Sequence, residues 1–561
     1  MKKLSLVDIG FLAGESRDTP MHVGGVSLYT LPDGVDEQEF LHGLADMLRT
    51  VDMFQPPFGD KLKTGPLGLA GPTYWERDRA VDVDYHIRHS ALPKPGRYRE
   101  LFGLVSRLHG TLLDRSRPLW EMNLIEGLPN RQFAVYTKTH HAAVDGATSI
   151  HIARSMLSSD PADRLKDSPL SLAAGERYRA ALRRQHPKTY SEPELRNVAD
   201  RLKSSLDSSA QIFGALKRTA AAWQGKEGAL MLPFMDVPRS AINTKVEGAR
   251  RFVAQSWSFA RIRAVGKAFD ATFNDAIMAM CAGGLRQYMQ THAELPEQSL
   301  KAMVPVSLRK PGDMDSANAV GSISVDLATN IADPVKRMIA IRDSASAGKE
   351  FFFEMSSNEA QLYSMLMQAP GMLLVPLGLM SKMPPFNTVI SNVPGILQPM
   401  YWNGARMEGS YPASIIMDGV AVNITMVTYD KNVDFGIMAC RRSLPQIQRL
   451  IDYMELALVE LEEAAGIVTH IAEAKPLSGK SAAAKKKAAP KKKVTASKKA
   501  AVKKKVAVKK VVAKKPMAKK TAIKKATVKK AIAKKVVAKK PAAKKVVAKN
   551  PTAKKIVAMK K

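Results

Sequence analysis

A change of composition after residue 474 limits what this chain can fold into. The segment from Lys475 to Lys561 contains 34 lysines and no arginine, aspartate or glutamate. Of the 86 Lys and Arg residues in the chain, 52 therefore precede it, and they equal the 52 acidic residues in number. A segment with so much charge of one sign cannot bury a core. We therefore expect residues 475–561, called the tail below, to be disordered.

The preceding residues form a formally neutral body that is long enough for two domains. Its hydrophobic patterns alternate between strand and helix in two stretches, separated by a more polar, helical region. We expect a first α/β half in residues 1–160, a helical crossover in 161–245 and a second α/β half in 246–470.

Several local patterns are specific enough to predict single elements. Residues 131–140 alternate between two faces, as a strand does. The other predictions are the helices Ala147–Leu157, Phe273–Gln290 and Leu444–Ala465 and a strand at Ala413–Ile416. Asp145 and Gly146 suit the start of the first of these helices.

The expected location is cytoplasmic. Two cysteines, Cys281 and Cys440, cannot build a disulfide framework, which fits a reducing compartment. The N-terminal apolar run is interrupted by Asp8 and lacks a small-residue cleavage site, so it does not match a secretory signal. The most apolar window, Met365–Met380, contains Gln368 and two prolines and is shorter than the ~20 residues of a spanning helix. We expect a peripheral protein of a membrane or lipid inclusion.

The motif HHAAVDG at residues 140–146 is the sharpest chemical feature of the chain. It presents His140 and His141 at the end of a strand, immediately before the Asp145-Gly146 turn. A neutral imidazole can take a proton from an alcohol near neutral pH and return it to a leaving group. The residues alone leave two alternatives open, a surface pair and a metal-ligand pair without its third ligand. Because no HExxH or paired CxxC spacing is present, we expect no metal.

HHAAVDG matches the HHxxxDG signature of the coenzyme A-dependent acyltransferase superfamily, which includes chloramphenicol acetyltransferase. Further segments in the same order make residues 1–465 resemble the bacterial wax ester synthase/diacylglycerol acyltransferase family. These segments are LSLVDIGFLAGESRDTPMHVGG, VDVDYHIRHSALPKPGR, SRLHGTLLDRSRPLWEMNLIEGL, Phe273-Asn274-Asp275, Pro305–Arg309, Ser391–Gly395 and Asn423–Thr425. The loop at Cys440, where relatives are expected to carry an acidic residue, and the tail depart from the family pattern.

The resemblance implies an α/β fold of two chloramphenicol-acetyltransferase-like halves, with mixed sheets around a central tunnel. It also implies an O-acyltransferase that moves a long-chain acyl group from acyl-CoA to a long-chain alcohol or to diacylglycerol. His141 would be the general base of a direct transfer, with acyl-CoA as co-substrate and no bound cofactor. Cys281 and Cys440 lie in no nucleophile motif, so no acyl-enzyme is expected. No residue is assigned to CoA contacts.

Supporting roles follow for the residues next to His141. His140 would shape the turn, and Gly146 would allow a backbone geometry that strains other residues. Asp145 would make a structural ion pair, with Arg309 as a candidate partner, in preference to orienting His141.

In the second half, Asn274 is the candidate polar contact near the reacting atoms, where it would orient the alcohol or stabilise the oxyanion. Its place before a helical run equally suits an N-cap, and both roles are compatible. Asp275 is expected to be structural. The segment Pro118-Leu119-Trp120 has no proton chemistry to offer, so we expect it to pack beside the histidines.

Two other functions remain as alternatives. One is a superfamily acyltransferase with a different acceptor, such as an amine. The other is a non-catalytic protein that tethers granules or the nucleoid, against which the intact HHAAVDG motif counts. The tail is expected to bind nucleic acid or anionic lipid without sequence specificity, because it has neither arginine nor an aromatic residue. A merely solubilising tail is the remaining alternative.

Overall fold

The computed structural model describes the chain in several ranges that all belong to one compact unit, residues 1–483. The described residues are 2–144, 152–185, 217, 219–221, 224, 230–307, 320–355, 363, 374 and 378–467. The predictions for Asp145, Gly146, Arg309 and the tail therefore lie outside the described residues. So do parts of the predicted helix 147–157, of the predicted crossover 161–245 and of the apolar window 365–380.

Two of the helices begin at capping boxes that the sequence encodes locally. The helices are α1 Leu6–Gly14, α2 Glu37–Arg49, α3 Val83–His86, α4 Tyr98–His109, α5 Leu172–Gln185, α6 Phe259–Ala268, α7 Phe273–His292, α8 Pro334–Phe353 and α9 Arg449–Ala464. Ser5 and Asp8 cap α1, and Thr272 and Asp275 cap α7. Each pair satisfies backbone N–H groups that have no partner in a first turn. Asp8, which interrupts the N-terminal apolar run, thus completes the capping box at the start of α1.

Within the described ranges, the strands assemble into two six-stranded sheets and one three-stranded sheet. In chain order they are β1 Lys2–Lys3, β2 His22–Thr30, β3 Asp60–Gly65, β4 Gly68–Arg77, β5 Ile87–Ala91, β6 Trp120–Glu126, β7 Gln132–His140, β8 Arg250–Ser258, β9 Lys301–Ser307, β10 Val320–Asp326, β11 Thr388–Ile396, β12 Tyr401–Trp402, β13 Ala405–Ala413, β14 Val422–Tyr429 and β15 Asn432–Cys440. The small sheet has the order β1-β4-β3.

Both large sheets are mixed. The first has the order β12-β13-β2-β7-β6-β5, and the second has the order β10-β9-β11-β14-β15-β8. The pairing of β5 with β6 is parallel, as are the pairings of β11 with β9 and with β14, whereas the other neighbours are antiparallel. The predicted α/β class with mixed sheets is confirmed.

Strand β13 ties the two halves together. It lies in the second half of the sequence but pairs with β2 of the first sheet, in a register that runs from Arg406 opposite Thr30 to Ala413 opposite Gly24. The predicted strand Ala413–Ile416 is wrong, because β13 ends at Ala413 and residues 414–416 form no strand. The boundary predicted near residue 246 therefore does not separate the strands of the two sheets.

Other local predictions match the structure closely. The strand predicted at 131–140 is β7, and the helix predicted from Phe273 to Gln290 is α7. The helix predicted from Leu444 begins later, at Arg449. Gln446 has a φ of 55°, a left-handed conformation that no continuous α-helix contains. Within the described ranges, no helix has the length and apolar character needed to cross a membrane.

Candidate active site

The two histidines lie at the end of β7, beside helix α1. His140 is the last residue of the strand and its side chain is fully buried, whereas His141 follows in a turn and is only partly buried. The His141 N–H donates to the carbonyl oxygen of Met21 at 2.9 Å. The His141 ring stacks on the Phe11 ring of α1, with centroids 4.1 Å apart and 17° between the planes. The backbone and the ring of His141 are thus both held by residues from the first 21 positions.

His140 uses both of its ring nitrogens within the protein. The Ala142 N–H donates to Nδ1 at 3.1 Å, so the hydrogen of a neutral His140 ring lies on Nε2. Nε2 in turn faces Oε1 of Glu15 at 3.4 Å, a distance too long for a strong hydrogen bond but short enough for electrostatic attraction. With these contacts and no exposed surface, His140 supports the turn and is poorly placed to exchange protons with a substrate.

The Pro118-Leu119-Trp120 segment lies directly against the histidines. The Leu119 carbonyl accepts the backbone N–H of His140 at 2.9 Å. Leu119 and Ala142 belong to one small apolar cluster that also contains Leu4, Leu12 and Leu113. These contacts fit the wall-forming role predicted for the segment.

Trp120 is fixed by polar and apolar contacts together. Its indole N–H donates to the carbonyl oxygen of Phe58 at 2.9 Å, and its ring stacks on His86 with centroids 4.5 Å apart. A buried indole that keeps its hydrogen bond holds one orientation. Trp120 is therefore fixed in place at the start of β6, the strand next to β7.

A buried network of polar side chains lies next to His140, on β2, on β7 and at the end of α4. His22 is paired opposite His140 in the register of β2 and β7, and its Nε2 donates to the carbonyl oxygen of His109 at 2.6 Å. His109 Nδ1 lies 2.9 Å from the Tyr136 hydroxyl. The ammonium of Lys138 donates to two backbone carbonyls and lies 3.2 Å from the Glu121 carboxylate.

Burial keeps His22 and His109 neutral. For His22, burial holds the pKa well below its ordinary value, and the nearby Lys138 ammonium lowers it further. For His109, burial together with the charges of Lys138 and Arg250 lowers the pKa to about 3. Neither ring therefore carries a charge at neutral pH.

Asn274 occupies the second position of α7 and is not its N-cap. Thr272 is the N-cap, and Asp275 completes the capping box, so the N-cap interpretation of Asn274 is wrong. The amide nitrogen of Asn392, on β11, donates to the Asn274 side-chain oxygen at 2.6 Å. This contact fixes the orientation of the Asn274 amide and turns its NH₂ group into the end available for donation. Asp275 is buried and lies 3.5 Å from the Lys349 ammonium, a structural position.

The remaining candidates cannot be placed, since Asp145, Gly146 and Arg309 lie outside the described residues. Within the described ranges, no group of three His, Cys, Asp or Glu side chains is arranged to hold a metal ion. Sequence reasoning missed Phe11, Glu15 and Met21, whose contacts with the histidines join positions more than 100 residues apart. The only signal was their place in the N-terminal segment that carries the family resemblance.

Comparison with known proteins matches both halves of the chain. The model of the wax ester synthase/diacylglycerol acyltransferase catalytic domain matches residues 4–277, and that of the WS/DGAT C-terminal domain matches residues 316–462. The chain belongs to the wax ester synthase/diacylglycerol acyltransferase family. The predicted family is confirmed, and the protein is an acyltransferase.

Individual relatives align with nearly all of the acyltransferase body. A protein of Mycobacterium tuberculosis named as a probable diacylglycerol O-acyltransferase is 44% identical over 463 residues, which are 82% of this chain and 98% of that protein. The O-acyltransferase WSD of Acinetobacter baylyi is 39% identical over 456 residues, 81% of this chain and 96% of that protein.

A solved structure of the family has the same fold. The wax ester synthase/diacylglycerol acyltransferase of Marinobacter aquaeolei VT8 is 37% identical, has a TM-score of 0.66 and covers 83% of this chain and 100% of its own. The catalytic-domain model includes both His141 and Asn274, whereas Asn392 falls in the C-terminal model. The tail of this acyltransferase begins beyond the end of both models, at residue 475.

Proposed function

We propose that this acyltransferase moves a long-chain fatty acyl group from acyl-CoA to a long-chain alcohol or to diacylglycerol, with His141 as general base. The observation that carries the proposal is the unequal environment of the two histidines. His140 is fully buried, with Nδ1 accepting the Ala142 N–H and Nε2 facing Glu15, whereas His141 is partly exposed and its ring is steadied by stacking on Phe11. A base that serves an external substrate needs the second kind of environment.

The transfer balances without a covalent enzyme intermediate. His141 accepts the proton of the alcohol O–H, and the alcohol oxygen attacks the carbonyl carbon of the thioester. The C–S bond then breaks, and the imidazolium returns the proton to the departing CoA thiolate. The products are an ester, which is a wax or a triacylglycerol, and free CoA.

The two cysteines are unsuited to act as nucleophiles. Cys281 lies inside α7 and Cys440 ends β15, and neither side chain has exposed surface. Burial raises the pKa of the Cys281 thiol far above its ordinary value, so its thiolate is scarce at neutral pH. Burial also acts to raise the pKa of Cys440, but hydrogen bonds from Ser443 and nearby backbone groups bring it below its ordinary value, so Cys440 is excluded by its lack of exposed surface and not by its pKa. These positions support direct transfer.

We assign Asn274 to the reacting centre as a hydrogen-bond donor to the alcohol or to the oxyanion. The hydrogen bond from Asn392 supports this role, because it leaves the Asn274 amide nitrogen as the donating end. One such donor contributes about 3–4 kcal/mol in a water-poor site. Asp145 and Gly146 keep their proposed structural roles at the turn, and Arg309 stays the proposed partner of Asp145.

The substrates are carried over from the family. The relatives named above act, by their names, on diacylglycerol or in wax ester synthesis. We propose that acyl-CoA and the acceptor reach His141 from opposite sides of a tunnel between the halves 1–160 and 246–470, and that the enzyme works at a membrane or lipid-inclusion surface where both apolar substrates collect.

Thiol release from palmitoyl-CoA tests the reaction. We expect release that requires hexadecanol or a diacylglycerol and falls by about 100- to 10,000-fold in His141→Ala, the range for a general base. His42→Ala is the matched control, because His42 is exposed on α2, where its ring contacts the Gln38 carbonyl and the edge of the His89 ring, away from the HHAAVDG turn. Thermal melting of each variant verifies that it is folded.

Three outcomes separate the alternatives. Acceptor-independent or absent release from folded protein would exclude both proposed acceptors and favour a different acceptor class or a tethering protein. Normal turnover in His141→Ala would exclude His141 as the base. The acceptor that supports faster release distinguishes wax ester from triacylglycerol synthesis.

We also propose that the tail binds anionic polymers or anionic lipid through charge alone. Its 34 lysines lie in a segment without acidic residues, and counterion release rewards such contacts. Full-length protein should bind duplex DNA or phosphatidylserine vesicles with an affinity that falls steeply with salt, and a variant ending at residue 474 should not. Equal binding by both would refute the proposal, and the stronger of the two ligands identifies the partner class.

A further inference from the structure

Glu15 is a buried carboxylate at the point where the N-terminal segment meets the histidines. It follows directly after α1, and its side chain is 3% exposed. Oε2 accepts two hydrogen bonds from the Arg115 guanidinium, at 2.8 and 3.1 Å. Oε1 accepts the backbone N–H of Met21 at 3.2 Å and lies 3.4 Å from His140 Nε2. Oε2 thus binds Arg115, whereas Oε1 contacts Met21 and His140.

Glu15 is held in its charged form. Burial alone would raise the pKa of this carboxyl, but the contact with His140 and hydrogen bonds from Arg115 and Met21 bring the pKa below its ordinary value. Arg115 supplies the positive charge that pairs with the Glu15 carboxylate. Its side chain is 39% exposed and also donates to the Leu12 carbonyl oxygen at 2.6 Å. A paired, hydrogen-bonded carboxylate is a rigid anchor, since moving it would strand a buried charge.

Two paths connect this anchor to His141. Through the backbone, Met21 donates its N–H to Glu15 and accepts the N–H of His141 on its carbonyl oxygen. Through the side chain of His140, Glu15 faces the Nε2 hydrogen of the residue immediately before His141. In addition, the helix that ends at Glu15 carries Phe11, on which the His141 ring stacks.

We propose that Glu15 is a positioning residue for acyl transfer, which fixes the orientation of His141 through Met21 and His140 without touching the substrate. The inference rests on the function proposed above. Since the geometry of a base governs turnover more than substrate binding, loss of the anchor should lower kcat and leave KM nearly unchanged.

Glu15→Gln tests the charge while it keeps the shape. We expect kcat to fall by about 10- to 100-fold, the cost of a misplaced reacting group, with KM for palmitoyl-CoA and hexadecanol within about twofold of wild type. Glu15→Asp, which keeps the carboxylate on a shorter side chain, should recover part of that loss.

Glu462→Gln is the matched control. Glu462 is also a fully buried carboxylate, and both of its oxygens accept from the Arg261 guanidinium at 2.8 Å. It lies on α9 in the second half, so the same chemical change there should leave the kcat of the folded enzyme unaltered. If Glu15→Gln does not fold, Arg115→Lys replaces it, because lysine keeps a positive charge beside Glu15 but loses the paired guanidinium hydrogen bonds that hold the carboxylate, and it should lower kcat in the same way.

The results distinguish this inference from the function on which it rests. A Glu15→Gln enzyme with wild-type kcat, beside an inactive His141→Ala, would overturn the role of Glu15 and leave the acyl transfer standing. A fall in kcat shared equally by Glu462→Gln would also overturn it, since general destabilisation would then explain the loss. Full activity of His141→Ala would refute the proposed mechanism itself.

Discussion

Replacement of Asp434 by asparagine should stabilise the protein increasingly as the pH rises above about 5. Asp434 lies on β15 with no exposed surface, where the two large sheets meet. The Ser410 N–H of β13 donates to one carboxyl oxygen at 2.8 Å, and the Ser256 hydroxyl of β8 donates to the other at 2.6 Å. Both donors are neutral, and burial raises the pKa of Asp434 from its ordinary 3.8 to about 7 despite them.

The sign follows from the two pKa values. The folded protein keeps the Asp434 proton up to about pH 7, whereas the unfolded chain releases it above 3.8. The contribution to stability is therefore fully present below pH 3.8 and is lost as the pH rises through 7. A difference of about three pKa units corresponds to a cost of about 4 kcal/mol near pH 8 and about 2 kcal/mol near pH 5.

Asparagine keeps the shape and both hydrogen bonds of this site, since its oxygen accepts from Ser410 and its nitrogen donates to Ser256. Only the titration is removed. The free energy of unfolding of Asp434→Asn relative to wild type should therefore rise by about 2 kcal/mol between pH 5 and pH 8. The measurement is urea unfolding of both proteins at the two pH values.

Asp333→Asn is the control for this experiment. Asp333 is the exposed N-cap of α8, a position where asparagine caps equally well, and hydrogen bonds from the first turn lower its pKa. Its replacement should not reproduce a gain in stability towards high pH. If the difference between Asp434→Asn and wild type were independent of pH, or fell as the pH rose, the buried neutral carboxyl would be refuted.

Further predictions concern packing and nucleophiles. A Cβ at Gly24 would lie 1.9 Å from the Thr137 carbonyl oxygen. Gly24→Ala should therefore lower the free energy of unfolding by about 3 kcal/mol or more, which thermal melting would detect. Gly43→Ala, in an open position of α2, should instead raise stability by about 0.5–1 kcal/mol. Cys281→Ala and Cys440→Ala should keep most of their acyl transfer, and loss of turnover in either folded variant would contradict direct transfer.

Local sequence was sufficient where local physics decides the structure. Strand β7 was predictable because its residues alternate and a turn motif follows it, and α7 because its apolar residues form one long run. Strand β13 was predicted only at its last residue, because Gly409 and Pro412 within it are residues that weaken a strand signal. Its pairing with β2 is set by residues almost 400 positions away.

The candidate site divides in the same way. His140 and His141 are adjacent in sequence, so one motif was enough to identify them. Glu15 and Phe11 meet them only after α1 folds back onto the end of β7, and no local pattern distinguishes Glu15 from other surface glutamates. Asn274 looked like an N-cap because a helix follows it, but Thr272 has the hydroxyl that takes that position.

The pairing of β13 with β2 also predicts that neither half folds alone. A fragment of residues 1–245 would expose the β2 edge along seven residue pairs, and it would lose Trp402, which is 1% exposed and packs 5.6 Å from Tyr29. An uncovered strand edge beside an opened core favours association over independent folding. We expect the separate fragments 1–245 and 246–470 to lack cooperative thermal unfolding, and co-expression to restore it together with acyl transfer. Cooperative unfolding of fragment 1–245 by itself would mean that the first sheet is stable without β13. Restoration only on co-expression would mean that β13 is needed to complete the sheet on which the histidines lie.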